Sequence, residues 1–122
     1  MKAIGFTRPL PVSNPEALLD INLPEPELRP HDILVAVQAV SVNPVDVKVR
    51  AAHTSEGGAY RVLGYDAAGI VQAVGSEVRN FQVGDEVYYA GALNRQGSNA
   101  QLQAVDARIA AKKPRSLDFA QA

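Results

Sequence analysis

The sequence predicts a mainly β protein: a compact, barrel-like fold with one or two short helices. Three observations support this prediction: the apolar stretches are short, β-branched residues are concentrated in them, and turn residues separate them. Glycine and proline occur 9 and 8 times and lie between the apolar stretches rather than in one linker. The long alternation of strand and helix that is typical of a doubly wound nucleotide-binding sheet is missing.

The first part of the chain contains three predicted strands. Residues 2–6 form the first strand, and residues 18–23 form the second. The second strand ends at Pro24-Glu25-Pro26, because each proline removes a backbone donor and limits pairing. The third and strongest strand covers residues 32–42, where alternating valine and isoleucine residues share one face.

A short helix is predicted directly after the third strand, over residues 44–50. Asn43 is a favourable helix N-cap. Pro44 suits the first helical position, because its missing N–H would have no partner there. Residues 53–60, which are rich in glycine and polar side chains, predict a loop.

The second part of the chain contains three further strands and the start of a brief one. These predictions are, in order, residues 67–74, residues 86–90, residues 100–105 and a strand that begins at Ile109. Gly69 lies inside its strand, which marks a bulge or the close approach of another backbone. Gly84-Asp85 predicts the tight turn before the strand over residues 86–90.

The last seven residues are typical of a helix that has just begun. Ser116 is a candidate N-cap, and Asp118 suits the positive end of the helix dipole. Leu117 and Phe119 are expected to pack on the barrel. The sequence carries no helix stop signal after them. A natural C-terminus can fray in this way, and the other interpretation, which we adopt as an expectation, is that the chain is the N-terminal part of a longer polypeptide.

Composition excludes several classes of function. Twelve basic and 13 acidic residues give a net charge of -1, so we expect neither a nucleic-acid nor a membrane partner. The absence of cysteine excludes disulfides, thiolate nucleophiles and zinc sites that need sulfur. No apolar run has the length of a membrane span or of a signal peptide's apolar region. A cytoplasmic location is expected.

Eight segments match one known template in the same order along the chain. They are Met1-Lys2-Ala3, residues 23–26, 32–35, 42–46, 64–71, 74–78 and 81–88, and Lys113-Pro114. In these segments the chain resembles the medium-chain dehydrogenases/reductases. The resemblance implies that residues 1–122 form the GroES-like catalytic domain of that family. The family's Rossmann nucleotide-binding domain is expected to be absent from this chain.

Within that family, the chain resembles the zinc-free quinone oxidoreductase branch. Zinc-dependent members place a cysteine ligand where this chain has Asn43-Pro44-Val45-Asp46, and a His-Glu pair where it has Tyr65-Asp66. Tyrosine is a poor zinc ligand, and a single aspartate cannot hold the metal. The resemblance therefore implies that the protein contains no zinc or other metal.

The resemblance also implies an activity and a cofactor. The expected reaction is the NADPH-dependent reduction of a quinone or an activated α,β-unsaturated carbonyl, both small-molecule substrates. Hydride transfer belongs to the cofactor, and the protein orients the reactants. The missing domain would bind most of the NADPH, and this chain would supply one wall of the cleft. The isolated chain is therefore expected to be inactive, and the full-length protein is expected to be a homo-oligomer.

Asn43 and Tyr65 are the predicted catalytic residues. The Asn43 amide can donate and accept hydrogen bonds near a nicotinamide or a carbonyl, although a helix N-cap explains this asparagine equally well. The Tyr65 phenol can hydrogen-bond a substrate carbonyl. A buried tyrosine with a backbone partner is the more common alternative.

Asn43, Asp46 and Lys48 are the predicted cofactor-binding residues. Asp46 matches an acidic position of the family, although a first-turn carboxylate that complements the helix dipole is the more common role. Lys48 stands where many quinone oxidoreductases carry a tyrosine that lines the cofactor cleft. An ammonium there can meet a phosphate, whereas a solvated surface cation is the alternative.

Two readings compete with the reductase. One is a free-standing GroES-like module that acts by binding or assembly and has no enzymatic activity. The other is a parent protein with a structural role on the same scaffold, as in the lens crystallins. Turnover of NADPH with a quinone or an enone distinguishes the reductase from both.

Overall fold

The computed structural model describes residues 1–122, except for the side chain of Glu56. The described chain contains eight β-strands, one α-helix and two 3-10 helices. The strands are β1 (Lys2–Phe6), β2 (Leu19–Asn22), β3 (Asp32–Val40), β4 (Arg61–Val62), β5 (Ala67–Val74), β6 (Glu86–Tyr89), β7 (Leu102–Asp106) and β8 (Ala110–Lys112). The helix α1 covers Pro44–Ala52, and the 3-10 helices cover Glu56–Gly58 and Ala107–Ile109.

The strands form two antiparallel sheets that join along one side. One sheet has the order β2-β1-β4, and the other has the order β7-β3-β5-β6-β8. An isolated bridge between Ala3 and Ala100 joins them. Hydrogen bonds from Ile4 N–H to the Asn99 carbonyl (2.9 Å) and from Gln101 N–H to the Lys2 carbonyl (3.0 Å) flank that bridge. The mainly β, GroES-like architecture predicted from the sequence is confirmed.

The larger core lies against the five-stranded sheet. Its central residues are branched aliphatic side chains from neighbouring strands, namely Ile33, Val35, Val71, Val87 and Val105. In β3, Ile33 pairs with Val105 on one side and Val35 pairs with Val71 on the other. Because alternate residues of a strand face the same side, this register places the whole aliphatic set on one face.

Several strand predictions are confirmed. β1 and β5 have the predicted bounds, and Gly69 is a position of close approach. A Cβ atom there would overlap the carbonyl oxygen of Ala36 on the neighbouring strand, and β3 has a bulge opposite Gly69, between Val37 and Ala39. β3 ends at Val40, two residues earlier than predicted, because the chain turns over residues 41–43 into α1. The Ser41 N–H still donates to the Asp66 carbonyl, in register with the β3–β5 pairing (3.1 Å).

The prediction that Ser116 caps a terminal helix is wrong. The Leu117 N–H donates to the Pro114 carbonyl (3.2 Å), so Ser116 lies inside a turn. The cap is formed by Asp118: its carboxylate accepts the Gln121 N–H (2.8 Å), and the Gln121 side chain accepts the Asp118 N–H (3.1 Å). This reciprocal pair is a capping box, and it is followed by one turn.

Lys113 holds this C-terminal segment against the barrel. Its buried ammonium forms an ion pair with Glu86 at the start of β6 (2.9 Å) and donates to the carbonyls of Pro114 and Leu117. The same ammonium lies 5.3 Å from the centre of the Phe119 ring, within the range of a cation–π interaction. The C-terminal segment is thereby fixed across one end of the larger sheet.

None of the helices in the described part of the chain has the length and apolar character needed to cross a membrane.

Candidate functional site

A cleft of about 530 Å³ lies between the C-terminal segment and one end of the five-stranded sheet. The residues at the end of β3, the start of β5 and the end of β6 form its first wall. Phe119 and the residues that follow it form the opposite wall. Most of the lining is apolar or aromatic, and the polar lining side chains are Ser41, Asp66, Tyr88, Tyr89 and Gln121.

Asn43 and Asp66 meet beside this cleft. Asn43 is the N-cap residue of α1, as predicted, and its amide nitrogen Nδ2 donates to Asp66 Oδ2 at 2.8 Å. A carboxylate oxygen only accepts hydrogen bonds, so the NH2 end of the amide must face Asp66. The pair joins the end of β3 to the start of β5 at the cleft.

Asp46 connects the same helix to the segment that carries Asp66. The Asp46 side chain is 6% exposed, and each of its oxygens has a backbone partner. Oδ2 accepts the Asn43 N–H (2.8 Å), and Oδ1 accepts the Gly64 N–H (2.8 Å). Asp46 is therefore a structural connection between α1 and residues 64–66, and its contact with a cofactor stays a prediction.

Gly64 has a backbone that few other residues adopt. Its φ is +97°, and a Cβ atom there would overlap the Ser98 hydroxyl and lie 2.9 Å from the Asn99 nitrogen. Its N–H donates to Asp46, and its carbonyl accepts the Ser98 N–H (2.9 Å). Glycine at this position fixes the path of the chain into Tyr65 and Asp66.

Tyr65 and Lys48 lie apart from the cleft lining. The Tyr65 side chain is buried (3% exposed), and its hydroxyl lies 3.4 Å from the Arg61 guanidinium. Lys48 lies on an exposed position of α1. The structure therefore brings Asn43, Asp46 and Asp66 together, while the predicted roles of Tyr65 and Lys48 stay predictions.

Sequence reasoning did not include Asp66 or the aromatic residues of the cleft among the site residues. Asp66 carried a usable signal, because it is a charged residue directly before a buried strand. Tyr88 and Phe119 carried no sequence signal, because only the fold of the C-terminal segment brings them to the same cleft.

The residues at this site do not fit zinc. Asp66 is the one strong zinc donor of the Asn43–Tyr65–Asp66 set, and a structural or catalytic zinc needs three or four ligands of the His, Cys or carboxylate type. Within the part of the chain that the structure describes, no group of three or more such side chains is placed to hold a metal ion.

Comparison with a family model gives a match over residues 29–115, to the alcohol dehydrogenase GroES-like domain. The chain is 44% identical over 117 residues to a zinc-type alcohol dehydrogenase-like protein of Staphylococcus aureus, covering 96% of this chain and 34% of that protein. It is 38% identical over 113 residues to the chloroplastic NADPH-dependent alkenal/one oxidoreductase of Arabidopsis thaliana, covering 85% of this chain and 29% of that protein.

Solved structures share the fold. A candidate zinc-dependent alcohol dehydrogenase from Rhizobium etli has 53% sequence identity and a TM-score of 0.92, with 98% of this chain and 34% of that chain covered. The Escherichia coli quinone oxidoreductase complexed with NADPH has 28% identity and a TM-score of 0.83, with 98% and 35% covered. The chain thus spans about a third of the length of the proteins that it matches.

Proposed function

Since the chain belongs to the family of alcohol dehydrogenase GroES-like domains, we propose that it is the catalytic domain of a zinc-free, NADPH-dependent reductase. Its substrates would be quinones or activated α,β-unsaturated carbonyls. The observation that carries this proposal is the Asn43–Asp66 pair beside an apolar cleft, at the positions where the sequence resemblance places the metal ligands of zinc-dependent members. The relatives named for a quinone and for an alkenal/one substrate support it.

NADPH, when bound, would supply the hydride. The residues of this chain would form one wall of the site, with Tyr88 and Phe119 excluding water from the ring that receives the hydride. Asn43 and Asp66 would present polar atoms at the rim, where they orient the reactants. Lys48, exposed on α1, would meet a cofactor phosphate.

In this proposal, Asp46 and Tyr65 would stabilise the site without contacting the ligand. Asp46 would keep Gly64 and the segment after it beside α1. The buried ring of Tyr65 would support the same segment from inside. The remaining wall of the cleft and most of the cofactor contacts would come from a dinucleotide-binding domain in the complete polypeptide, as the small share of each relative covered by this chain suggests.

The test is an assay of the complete polypeptide that contains this chain. NADPH oxidation is followed with naphthoquinone and with an alkenal, before and after treatment with a zinc chelator. We expect turnover that the chelator does not change, and less than about one tenth of a zinc ion per chain by elemental analysis.

Two results would contradict the proposal. Loss of turnover on chelation, restored by added zinc, would show a zinc enzyme. Absence of NADPH oxidation with every quinone and enone tested, in a protein that is folded by circular dichroism, would favour a binding module instead.

A further inference from the structure

The polar part of the cleft contains a single charged side chain. Among the described residues that line the cleft, only Asp66 has an acidic or basic side chain. Its polar neighbours, such as Ser41, Tyr88 and Gln121, carry neutral hydroxyl or amide groups. Asp66 is half-buried, so its charge acts on anything that enters the cleft.

One oxygen of the Asp66 carboxylate is engaged and the other is open. Oδ2 accepts the Asn43 amide at 2.8 Å. No side chain or backbone group in the described part of the chain donates to Oδ1, and none of the ion pairs there includes Asp66. A carboxylate has about four acceptor positions, so Oδ1 is available to a ligand.

We propose that Asp66 contacts the ligand in this cleft and selects, at the position beside its carboxylate, a neutral group that carries an O–H or N–H donor. Asn43 is its positioning residue, because the Nδ2–Oδ2 hydrogen bond fixes the plane of the carboxylate. An anionic group next to Asp66 is disfavoured, because repulsion between like charges is only weakly screened in a partly buried cleft. This inference rests on the proposed function for the identity of its ligands.

Two ligands have the required chemistry. A ribose hydroxyl or carboxamide N–H of NADPH is one source of the donor, and a hydroxyl of the reduced quinone is the other. If the cofactor supplies the donor, loss of the Asp66 charge raises the KM for NADPH. If the reduced quinone supplies it, the inhibition constant of the hydroquinone product rises instead, and the KM for NADPH stays constant.

The experiment compares Asp66→Asn with the unchanged full-length protein, using naphthoquinone and its sulfonate, which share a ring system and differ in charge. We expect the ratio of kcat/KM for the sulfonate to kcat/KM for naphthoquinone to rise by about three- to tenfold in the variant. Asp66→Glu retains the charge and should restore discrimination against the sulfonate. Asn43→Ala should shift the ratio in the same direction by a smaller factor.

The matched control is Glu77→Gln, which removes an exposed carboxylate beyond the opposite end of β5 and should leave the ratio unchanged. A ratio that stays constant in a folded Asp66→Asn protein overturns the inference. If the unchanged protein turns over neither quinone, the proposed function fails separately. In that event, the binding of both quinones is measured by the quenching of tyrosine fluorescence. If the ratio of the two affinities is the same in Asp66→Asn and in the unchanged protein, the inference is overturned.

Discussion

Arg95 donates two hydrogen bonds to Asp32, which stands 63 residues earlier in the chain. Nη1 lies 2.7 Å from Oδ1 and Nη2 lies 2.6 Å from Oδ2, the parallel arrangement that suits a guanidinium and a carboxylate. Asp32 is 1% exposed, and its Oδ2 also accepts the Arg29 N–H (3.0 Å). The pair joins the loop after β6 to the start of β3.

Replacing Arg95 by methionine should destabilise the fold strongly. The substitution leaves the Asp32 carboxylate buried with one backbone donor in place of three donors. Removal of one partner from a buried ion pair typically costs about 3 kcal/mol or more. We expect a loss of that size in the free energy of unfolding, measured by urea denaturation. The control is Arg79→Met, at an exposed arginine that has no carboxylate partner among the described residues. This substitution should change the free energy of unfolding by less than about 0.5 kcal/mol.

Stability should fall in acid because of Asp32. Burial alone would raise the pKa of this carboxyl, but the hydrogen bonds from Arg95 and Arg29 and the charge of Arg95 together hold the pKa below its ordinary value. Since the folded-state pKa is lower than the unfolded-state value, the stabilisation is present above the unfolded-state pKa and is lost as the pH falls toward the folded-state pKa.

The measurement is the free energy of unfolding between about pH 6 and about pH 2. Hydrogen bonds from Arg108 also lower the pKa of Asp106, so Asp32→Asn is compared within an Asp106→Asn background. The slope in acid should be shallower when Asp32 is replaced. An unchanged slope would mean that Asp32 has the same pKa in both states.

Asp46→Asn should weaken the attachment of the helix to the site. Asparagine offers one acceptor oxygen where the carboxylate uses two, so either the Asn43 or the Gly64 N–H loses its partner. An unpaired buried donor costs about 1–3 kcal/mol, which is the loss we expect in thermal or urea unfolding. The exposed Asp20→Asn serves as the control. Equal stability of the two variants would contradict this role for Asp46.

The substitutions Gly64→Ala and Gly84→Ala distinguish the stability cost of backbone strain from the stability cost of steric overlap. Both glycines have positive φ, +97° and +94°, but no atom lies within 4 Å of a Cβ built on Gly84. Gly84→Ala should therefore lower the free energy of unfolding by about 1–2 kcal/mol, because only the left-handed backbone opposes the new side chain. Gly64→Ala should cost more, because its Cβ also meets Ser98 and Asn99. Similar losses in urea denaturation would show that the Ser98 segment moves aside freely.

The sequence predicts strands best where local rules decide. The bounds of β1 and β5 were predictable because turn residues delimit a short apolar run in each. The end of β3 was not, since the apolar run continues to Val42 while the chain already turns toward α1 after Val40. Asp118 rather than Ser116 caps the last turn because Lys113 and Pro114 engage the intervening backbone, which local propensity does not show.

The positions of Asn43 and Asp46 at the start of α1 were predictable for the same reason, because helix N-terminal signals are local. The hydrogen bond between Asn43 and Asp66 depends on the pairing of β3 with β5. The ion pair between Asp32 and Arg95 depends on the path of a long loop. The spacing of these residues in the sequence therefore indicates neither contact. The sequence left a buried Tyr65 as an alternative, and the structure shows this residue buried with its hydroxyl near Arg61.

The pairing of β3 with β7 has a consequence for how the protein is made. Asp32 pairs with Asp106 and Leu34 with Ala104, so β3 gains that neighbour only after residues 102–106 have been synthesised. Contacts between residues so distant in sequence slow folding, because loop-closure entropy is lost before the contacts form. During synthesis, the backbone N–H and C=O groups on that edge of β3 remain unpaired until β7 leaves the ribosome. Aggregation of nascent chains and demand for chaperones should therefore be greatest for chains that end before residue 106.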